Sequence, residues 1–258
     1  MWALAMPEIS ATIITLNEEK NIARAIHSLA GADEIIAVDS GSVDATCSLA
    51  AEMGARVIHN PWPGYAAQKN FAAQQARHDW ILSLDADEEL DARAQEAVRS
   101  WKATAPSAAG YRWPRCAWYM GRWIRHSGWY PDWKLRLYDR RRGQWRGDYV
   151  HESVSLNETS DVSIPILEGE ILHYSAETPG EQNERIERYT DLGVREMIGR
   201  GRRANSFDLP FLPPITFFQT YFLKLGFLDG RAGFHIARAA AHYVRRKYEK
   251  LDAYRQTK

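Results

Sequence analysis

The feature that most constrains this chain is an alternation through its first hundred residues, in which short apolar runs of strand length are each followed by a stretch with helical spacing. Ile9 to Thr15, Glu34 to Asp39, Arg56 to His59 and Trp80 to Leu84 read as strands. Glu18 to Leu29, Val43 to Met53 and Tyr65 to Ala76 carry apolar residues at helix-like intervals. Strands separated by helices of that length return parallel to one another, so the pattern predicts an α/β domain built on a mainly parallel, Rossmann-like sheet. Such sheets bind ligands in the crevice outside the carboxyl ends of their strands. Here those ends are polar: Thr15-Leu16-Asn17-Glu18-Glu19, Asp39-Ser40-Gly41-Ser42 and Asp85-Ala86-Asp87-Glu88.

Beyond residue 100 the character changes. Residues 108–174 hold short strand-like pieces and many turns, and seven of the ten tryptophans fall between Trp101 and Trp145, which reads as mixed β structure with long loops. From about Pro179 the pattern is helical to the end, with breaks expected at the Pro210 to Pro214 cluster and at Gly226, Gly230 and Gly233. The expected organisation is a catalytic domain over 1–178, divided into a nucleotide half (8–100) and an acceptor half (101–178), followed by a helical, membrane-associating extension over 179–258.

At 258 residues the chain is long enough to bury a substantial core, and 33 basic residues balance 33 acidic ones. The balance hides a segregation: residues 1–100 carry 15 acidic and 7 basic side chains, and residues 112–146 carry 10 basic and 2 acidic. A basic section of that kind suits phosphate groups, nucleic acid or an anionic membrane alike. Two cysteines, Cys47 and Cys116, give no disulfide framework, and the start of the chain lacks the basic and apolar regions of a signal peptide, so a cytoplasmic location is expected. The longest uncharged apolar stretch, Leu209 to Leu223, is shorter than a membrane span and contains three prolines, which favours lying on a membrane over crossing one.

Asp85 and Asp87 leave the apolar strand ending at Leu84, so both carboxylates can enter one crevice. Magnesium or manganese takes few protein carboxylates there and completes its shell with water and substrate phosphates. The plainer reading makes Asp87, Glu88 and Glu89 the acidic start of a helix running from about Leu90. Asp39 suits an imide N–H of a base, and Gly41 lets the backbone approach a ligand closely, although Ser42 or Asp44 also suits the cap of a following helix.

Taken together, Thr15-Leu16-Asn17-Glu18-Glu19, Val38-Asp39-Ser40-Gly41-Ser42-Val43-Asp44 and Asp85-Ala86-Asp87 resemble, in order and spacing, the three strand-end motifs of family 2 glycosyltransferases with the GT-A fold. The resemblance implies that Thr15, Asn17, Glu18, Ser40 and Gly41 line a UDP-sugar pocket and that Asp39 pairs with the base. It places Asp85 and Ala86 at the ribose or metal and makes Asp87 a ligand of a divalent cation, Mg2+ or Mn2+. Gln68-Lys69-Asn70 resembles a further family element, in which Lys69 meets phosphate or sugar. Arg136-Leu137-Tyr138, Val150-His151-Glu152, Leu172-His173-Tyr174 and the tail from Tyr221 to Gly230 resemble the branch that builds bacterial lipopolysaccharide inner core, which moves glucose or a related hexose from a UDP-sugar to a core heptose.

An inverting transfer needs a general base for the acceptor hydroxyl. Glu152 is the first choice, with Asp148 and Asp132 in reserve. His173 is a candidate third metal ligand or a hydrogen-bonded core residue. Arg136, His151 and Trp129 are the expected acceptor contacts, because guanidinium groups bind phosphate and aromatic faces suit sugar rings. Core packing is the alternative use for the tryptophans. Transfer to a polyprenyl phosphate or another polysaccharide precursor is the nearest alternative activity, and a non-catalytic nucleotide- or nucleic-acid-binding module is the alternative class. Acidic strand ends at the mouth of the crevice argue against a nucleic-acid partner. Expected partners are the UDP-sugar, a lipid-anchored oligosaccharide and the inner face of the cytoplasmic membrane.

Overall fold

A computed structural model describes residues 6–147, 152–157, 164–174, 179–202, 205 and 207–256. In chain order the strands are β1 (Ile9–Thr15), β2 (Glu34–Asp39), β3 (Arg56–His59), β4 (Trp80–Asp85), β5 (Glu88–Leu90), β6 (Gly110–Tyr119), β7 (Arg122–Trp123), β8 (Asp132–Asp139), β9 (Gly143–Arg146), β10 (Ser153–Leu156) and β11 (Ile171–His173). The α-helices are α1 (Ile22–Ser28), α2 (Thr46–Glu52), α3 (Tyr65–Gln75), α4 (Ala92–Lys102), α5 (Pro179–Gly199), α6 (Asp208–Phe218) and α7 (Gly230–Gln256). The chain forms two compact units, one of Met1–Arg115 with Asp132–Tyr174, the other of Cys116–Pro131 with Ser175–Lys258.

The first unit is built on a mixed sheet in the order β3-β2-β1-β4-β8-β6-β11-β5. The pairs β3·β2, β2·β1 and β1·β4 are parallel, as the strand and helix alternation requires, while β8 runs antiparallel to β4 and to β6. Every residue of β1 is buried, because helices cover both faces of a parallel sheet and leave no wet side for alternation. One face buries Ile13, Ile22, Leu84, Val98 and Trp101, and the other Val38, Ala72, Ile81, Tyr138 and Trp145. Trp101 sits edge-on to Trp80 with centroids 4.7 Å apart, and Trp113 is fully buried, so these tryptophans serve the core. From β1 the chain moves outward to β2 and β3, then returns to the other side of β1 as β4. This reversal opens a crevice at the carboxyl ends of β1, β2 and β4.

Three local expectations are corrected. The first helix begins at Ile22 rather than Glu18, because Asn17 takes a left-handed φ of 55° and the Glu18 backbone amide is held by Thr46 Oγ1. The second begins at Thr46 rather than Val43, since residues 40–45 are occupied in loop hydrogen bonds. Asp87 to Glu89 do not open a helix. Glu88–Leu90 forms β5, paired with β11, and Asp91 caps α4 by accepting from the Ala94 amide at 2.7 Å.

In the second unit the end of β6 pairs with β7, and Tyr119, Ile124 and Trp129 pack with Ala232 and Ile236 of α7. α5 packs on α7 through Val194, Tyr248 and Leu251. Glu187 on α5 is salt-bridged to Arg246 and Lys250 on α7. The proline cluster does not break α6, contrary to expectation. Pro210 lies in the first turn, where an amide has no helical partner to lose, and the helix tolerates Pro213 and Pro214 before passing into a π-helical turn at Gln219–Leu223. Nor does Gly233 interrupt α7; it lies inside the first turns of that helix.

Candidate functional site

The crevice of the first unit is made by loops that hold one another in place. Asn17 donates its backbone amide to Ser42 Oγ at 2.8 Å, and its side-chain oxygen accepts from the Val43 amide at 2.9 Å, tying the end of β1 to the end of β2. Asp39 is buried and accepts from the Gly41 amide at 2.8 Å and the Ser42 amide at 3.0 Å. Gly41 has φ of 110°, a conformation that favours glycine. Burial alone would raise the Asp39 pKa, but the hydrogen bonds from Ser42 and Gly41 outweigh it and hold the carboxyl below its usual range. Asp39 is therefore an anion that also folds its own loop. Thr15, at the end of β1, is buried beneath it in the sheet, paired with Asp39 in register.

Each member of Gln68-Lys69-Asn70 on α3 is committed. Gln68 donates to Ser40 Oγ at 3.0 Å, and Asn70 exchanges two bonds with the backbone of Trp145. Lys69 is not a solvated surface lysine: it is fully buried, with Nζ 2.8 Å from Asp85 Oδ1 and 2.9 Å from Glu152 Oε1.

Asp85 lies in a chain of buried ions. Arg136 Nη2 is 3.0 Å from Asp85 Oδ2 and 2.7 Å from Glu88 Oε1; Arg115 reaches Glu88 Oε1 at 3.0 Å and Asp132 Oδ2 at 2.7 Å. Burial would raise the Asp85 pKa, but Lys69 and Arg136 hold it far below the carboxylate range. Desolvation would likewise lower Arg136, and Glu88 with Asp85 drives it up instead. Both Asp85 oxygens thus face cations of the protein, and this carboxylate enters a metal shell only by giving one of them up. Ala86, between the two aspartates, is buried.

Asp87 is differently placed. Its Oδ2 lies 3.0 Å from His173 Nε2, which β11 delivers through the pairing of His173 with Glu88. Burial would lower the His173 pKa, but the hydrogen bond and charge of Asp87 raise it. Glu18 is pushed upward by burial and by the charges of Asp87 and Asp44, against the hydrogen bond from Asn21. Carboxylates that repel one another beside an imidazole fit a divalent cation. Among the described residues, no group of three or more His, Cys, Asp or Glu side chains gathers at one point. Asp87 and His173 are an oxygen and a nitrogen donor held side by side, a pair that could contribute to the shell of a divalent cation otherwise completed by water and phosphate oxygens.

Beside these ions is a cavity of about 160 Å³ lined by Asp85, Arg115, Lys134, Arg136, Trp145 and Glu152. Glu152, immediately before β10, reaches it; Asp132 does not line it and is bound by Arg115 and Lys134, which together outweigh burial and keep its pKa low. Asp148 and His151 lie outside the described residues. Trp129 is placed in the second unit, packed on Tyr119 with centroids 5.4 Å apart. Arg136 is buried, and its Nε and Nη1 find no partner among the described residues. Glu88, Arg115 and Trp145 are site residues that sequence reasoning missed. Glu88 carries a signal, an acidic residue immediately after Asp87 in the polar strand end, but the sequence offers it no role beyond the alternative of a helix start.

Comparison with known proteins gives concordant results. The model described as glycosyl transferase family 2 matches residues 10–157, more than half of the chain. The lipopolysaccharide core biosynthesis glycosyltransferase LpsC of Rhizobium meliloti (strain 1021) is 33% identical over 244 residues, covering 92% of this chain and 88% of the relative. An uncharacterized glycosyltransferase of Rickettsia felis is 32% identical over 237 residues, covering 89% of this chain and 84% of the relative. Among solved structures, glucosyl-3-phosphoglycerate synthase from Mycobacterium tuberculosis with Mn2+, uridine diphosphate and glucosyl-3-phosphoglycerate is 27% identical. It covers 45% of each chain with a TM-score of 0.34, too partial an overlap to carry an argument.

Proposed function

The chain belongs to glycosyl transferase family 2 and has the GT-A fold, and from that premise we propose that it is an inverting hexosyltransferase moving glucose, or a closely related hexose, from a UDP-sugar to a heptose of lipopolysaccharide core or a similar lipid-linked glycan. The observation that carries this reading is the gathering of Asp39, Lys69, Asp85, Asp87 and His173 at the carboxyl ends of three adjacent parallel strands, with LpsC aligned along nearly the whole chain.

In this reading residues 8–100 hold the donor, 101–178 meet the acceptor and 179–258 form the membrane-facing extension. Thr15, Asn17, Glu18, Ser40 and Gly41 frame the nucleotide, and the anionic Asp39 accepts from the base. Asp87 and His173 hold the divalent cation, Mg2+ or Mn2+. When bound, that cation neutralises charge developing on the leaving diphosphate. Asp85 and Ala86 border the ribose; Lys69 and Arg136 keep Asp85 ionised and fixed. Glu152, lining the cavity, takes the acceptor hydroxyl proton, ahead of Asp132, whose two cations make it a weak base. Asp148 remains the alternative base. Arg136 and His151 are assigned to the acceptor. The enzyme acts at the cytoplasmic face of the inner membrane. Among the described residues no helix is long and apolar enough to cross a membrane.

The test is mass-spectrometric product analysis with a panel of UDP-sugars and isolated truncated lipopolysaccharide cores, run with and without chelator. A heptose-linked hexose formed only with divalent cation supports the reading. Full turnover in excess chelator, or in Asp87→Ala, removes the cation from it, and absence of product from every donor and core overturns the acceptor class.

A further inference from the structure

The second unit carries a surface that proteins rarely leave open to water. Phe207, Phe211, Ile215, Phe218 and Phe222 recur at intervals of four, four, three and four along α6 and the π-helical turn that extends it, so they line up on one helix face. At the end of this row the chain turns through Leu223, Leu225, Phe227 and Leu228. All nine side chains are between 44% and 67% exposed. The helix already has its core contacts elsewhere: Leu209 and Leu212 pack with Val194 and Tyr248, and Phe217 meets Phe234 edge-on. The exposed row is a second apolar face.

Its tip is held outward by backbone. Leu225 has φ of 55°, a left-handed conformation that leucine keeps only when its surroundings fix it. At Gly226 a Cβ would lie 2.7 Å from the Thr220 carbonyl oxygen, and at Gly233 it would lie 1.8 Å from the Gly226 carbonyl oxygen, so two backbones meet there with no room for a side chain. Buried Asp229 fastens the turn by accepting from the backbone amides of Arg125 and His126 at 3.2 and 3.0 Å and from Ser127 Oγ at 3.1 Å. Leucines on a turn so fixed do not fold back to bury themselves.

The charge around the tip has one sign. Between residues 209 and 228 the only charged side chain is Lys224, and Arg231 follows shortly after. Arg122 donates to the Leu228 carbonyl at 3.4 Å and stands at the same tip. All three cations are exposed, while the nearest carboxylate, Asp229, is buried. An interface between proteins carries a rim of mixed polar groups. An apolar row whose tip is collared by cations alone, with the partly exposed Asp208 at its opposite end, complements anionic lipid.

We propose that the face from Phe207 to Leu228, collared by Arg122, Lys224 and Arg231, inserts into the interfacial layer of a leaflet containing anionic phospholipid. This deepens the reading that the acceptor is presented on a membrane, and it names the surface and the lipid chemistry that would meet it.

Flotation of the full chain with phosphatidylcholine vesicles, with and without phosphatidylglycerol, tests it apart from any transfer chemistry. The protein floats with the phosphatidylglycerol vesicles at low salt, and salt weakens the binding. Phe218→Glu with Phe222→Glu lowers partitioning by at least about tenfold, and Lys224→Gln with Arg231→Gln lowers it about fivefold per charge. The far-ultraviolet circular dichroism of both variants stays unchanged, since each replaced side chain is exposed. Absence of flotation by the natural sequence with anionic vesicles overturns the proposal, as does undiminished flotation of the phenylalanine variant. A dimer that the same variant dissociates, together with no flotation, assigns the face to a second copy of the chain and also overturns it. Failure here leaves transfer to a detergent-dispersed core intact, whereas failure of the transfer reading leaves flotation intact.

Discussion

In the sheet-bearing unit Lys69, Glu88 and Arg136 are charged and almost wholly withdrawn from water, whereas in the helical unit Phe207, Phe218 and Leu223 are apolar and more than half exposed. Each departs from the ordinary distribution of side chains, in opposite directions. Withdrawn ions seldom add net stability, because desolvation offsets their attraction; what they provide is a fixed placement of charge. Exposed apolar side chains add none either, and mark a surface awaiting a partner. The second unit also shows what ordinary charge looks like, in the half-exposed cluster of Glu187 with Arg246 and Lys250. Polarity in the wrong place therefore points to two separate jobs, reaction chemistry in one unit and attachment in the other.

The comparison breaks first at Glu88. Glu88→Ala strands Arg136 and Arg115 without their shared carboxylate and is expected to destabilise the first unit by about 3–5 kcal/mol, read by urea denaturation. A loss under about 1 kcal/mol would mean that water already solvates the site. Glu152→Gln is expected to lower transfer by roughly a hundredfold with donor affinity retained, since the amide keeps the shape and loses the base, and to cost less stability than Glu88→Ala because Lys69 keeps Asp85 as a partner; steady-state kinetics beside calorimetric UDP titration separate turnover from binding. Asp39→Ala should weaken UDP binding by about 1.5–3 kcal/mol, the scale of a hydrogen bond to a charged group, and the same titration measures it.

The surface cluster sharpens the contrast from the other side. Hydrogen bonds from Arg246 and Lys250 lower the Glu187 pKa to about 2. Its contribution is thus present above the ordinary glutamate pKa and is lost as the pH falls towards 2. The difference in unfolding free energy between the natural sequence and Glu187→Gln should be within about 1 kcal/mol at low salt near neutrality, because the pair is solvent-screened, and should shrink on acidification as Glu187 is protonated. The smallest effect is expected at Phe218→Ser. Its unfolding free energy in urea should match that of the natural sequence within about 0.5 kcal/mol, since an exposed ring contributes little to folding; a large drop would place Phe218 in the core.

Much of the first unit was legible because its information is local. The apolar runs of β1, β2 and β3 mark their own ends, and β4 runs one residue beyond its run, to Asp85. Their polar successors fall at one sheet edge by topology alone. The burial of Lys69 was not legible: its partners Asp85 and Glu152 lie 16 and 83 positions along the chain, and no periodicity links them. The role of Glu88 was not legible either, because an acidic pair after a strand also suits a helix start, and only the distant β11 makes it a strand. The prolines of α6 misled for a different reason. Pro210 stands in the first turn, where no amide donor is required, and Pro213 and Pro214 are accommodated farther inside the helix.

Gly233 has a consequence for how this chain tolerates change. It touches neither the ion network nor the exposed aromatic row, and α7 would be more regular with alanine there. Yet any side chain at this position meets the Gly226 carbonyl oxygen at 1.8 Å. In a saturation library scored for vesicle attachment, position 233 would therefore accept glycine alone, while Leu223 and Leu228 would exchange among apolar residues with little loss. Intolerance would be concentrated in glycines that contribute no contact surface, and permissiveness in residues that supply it.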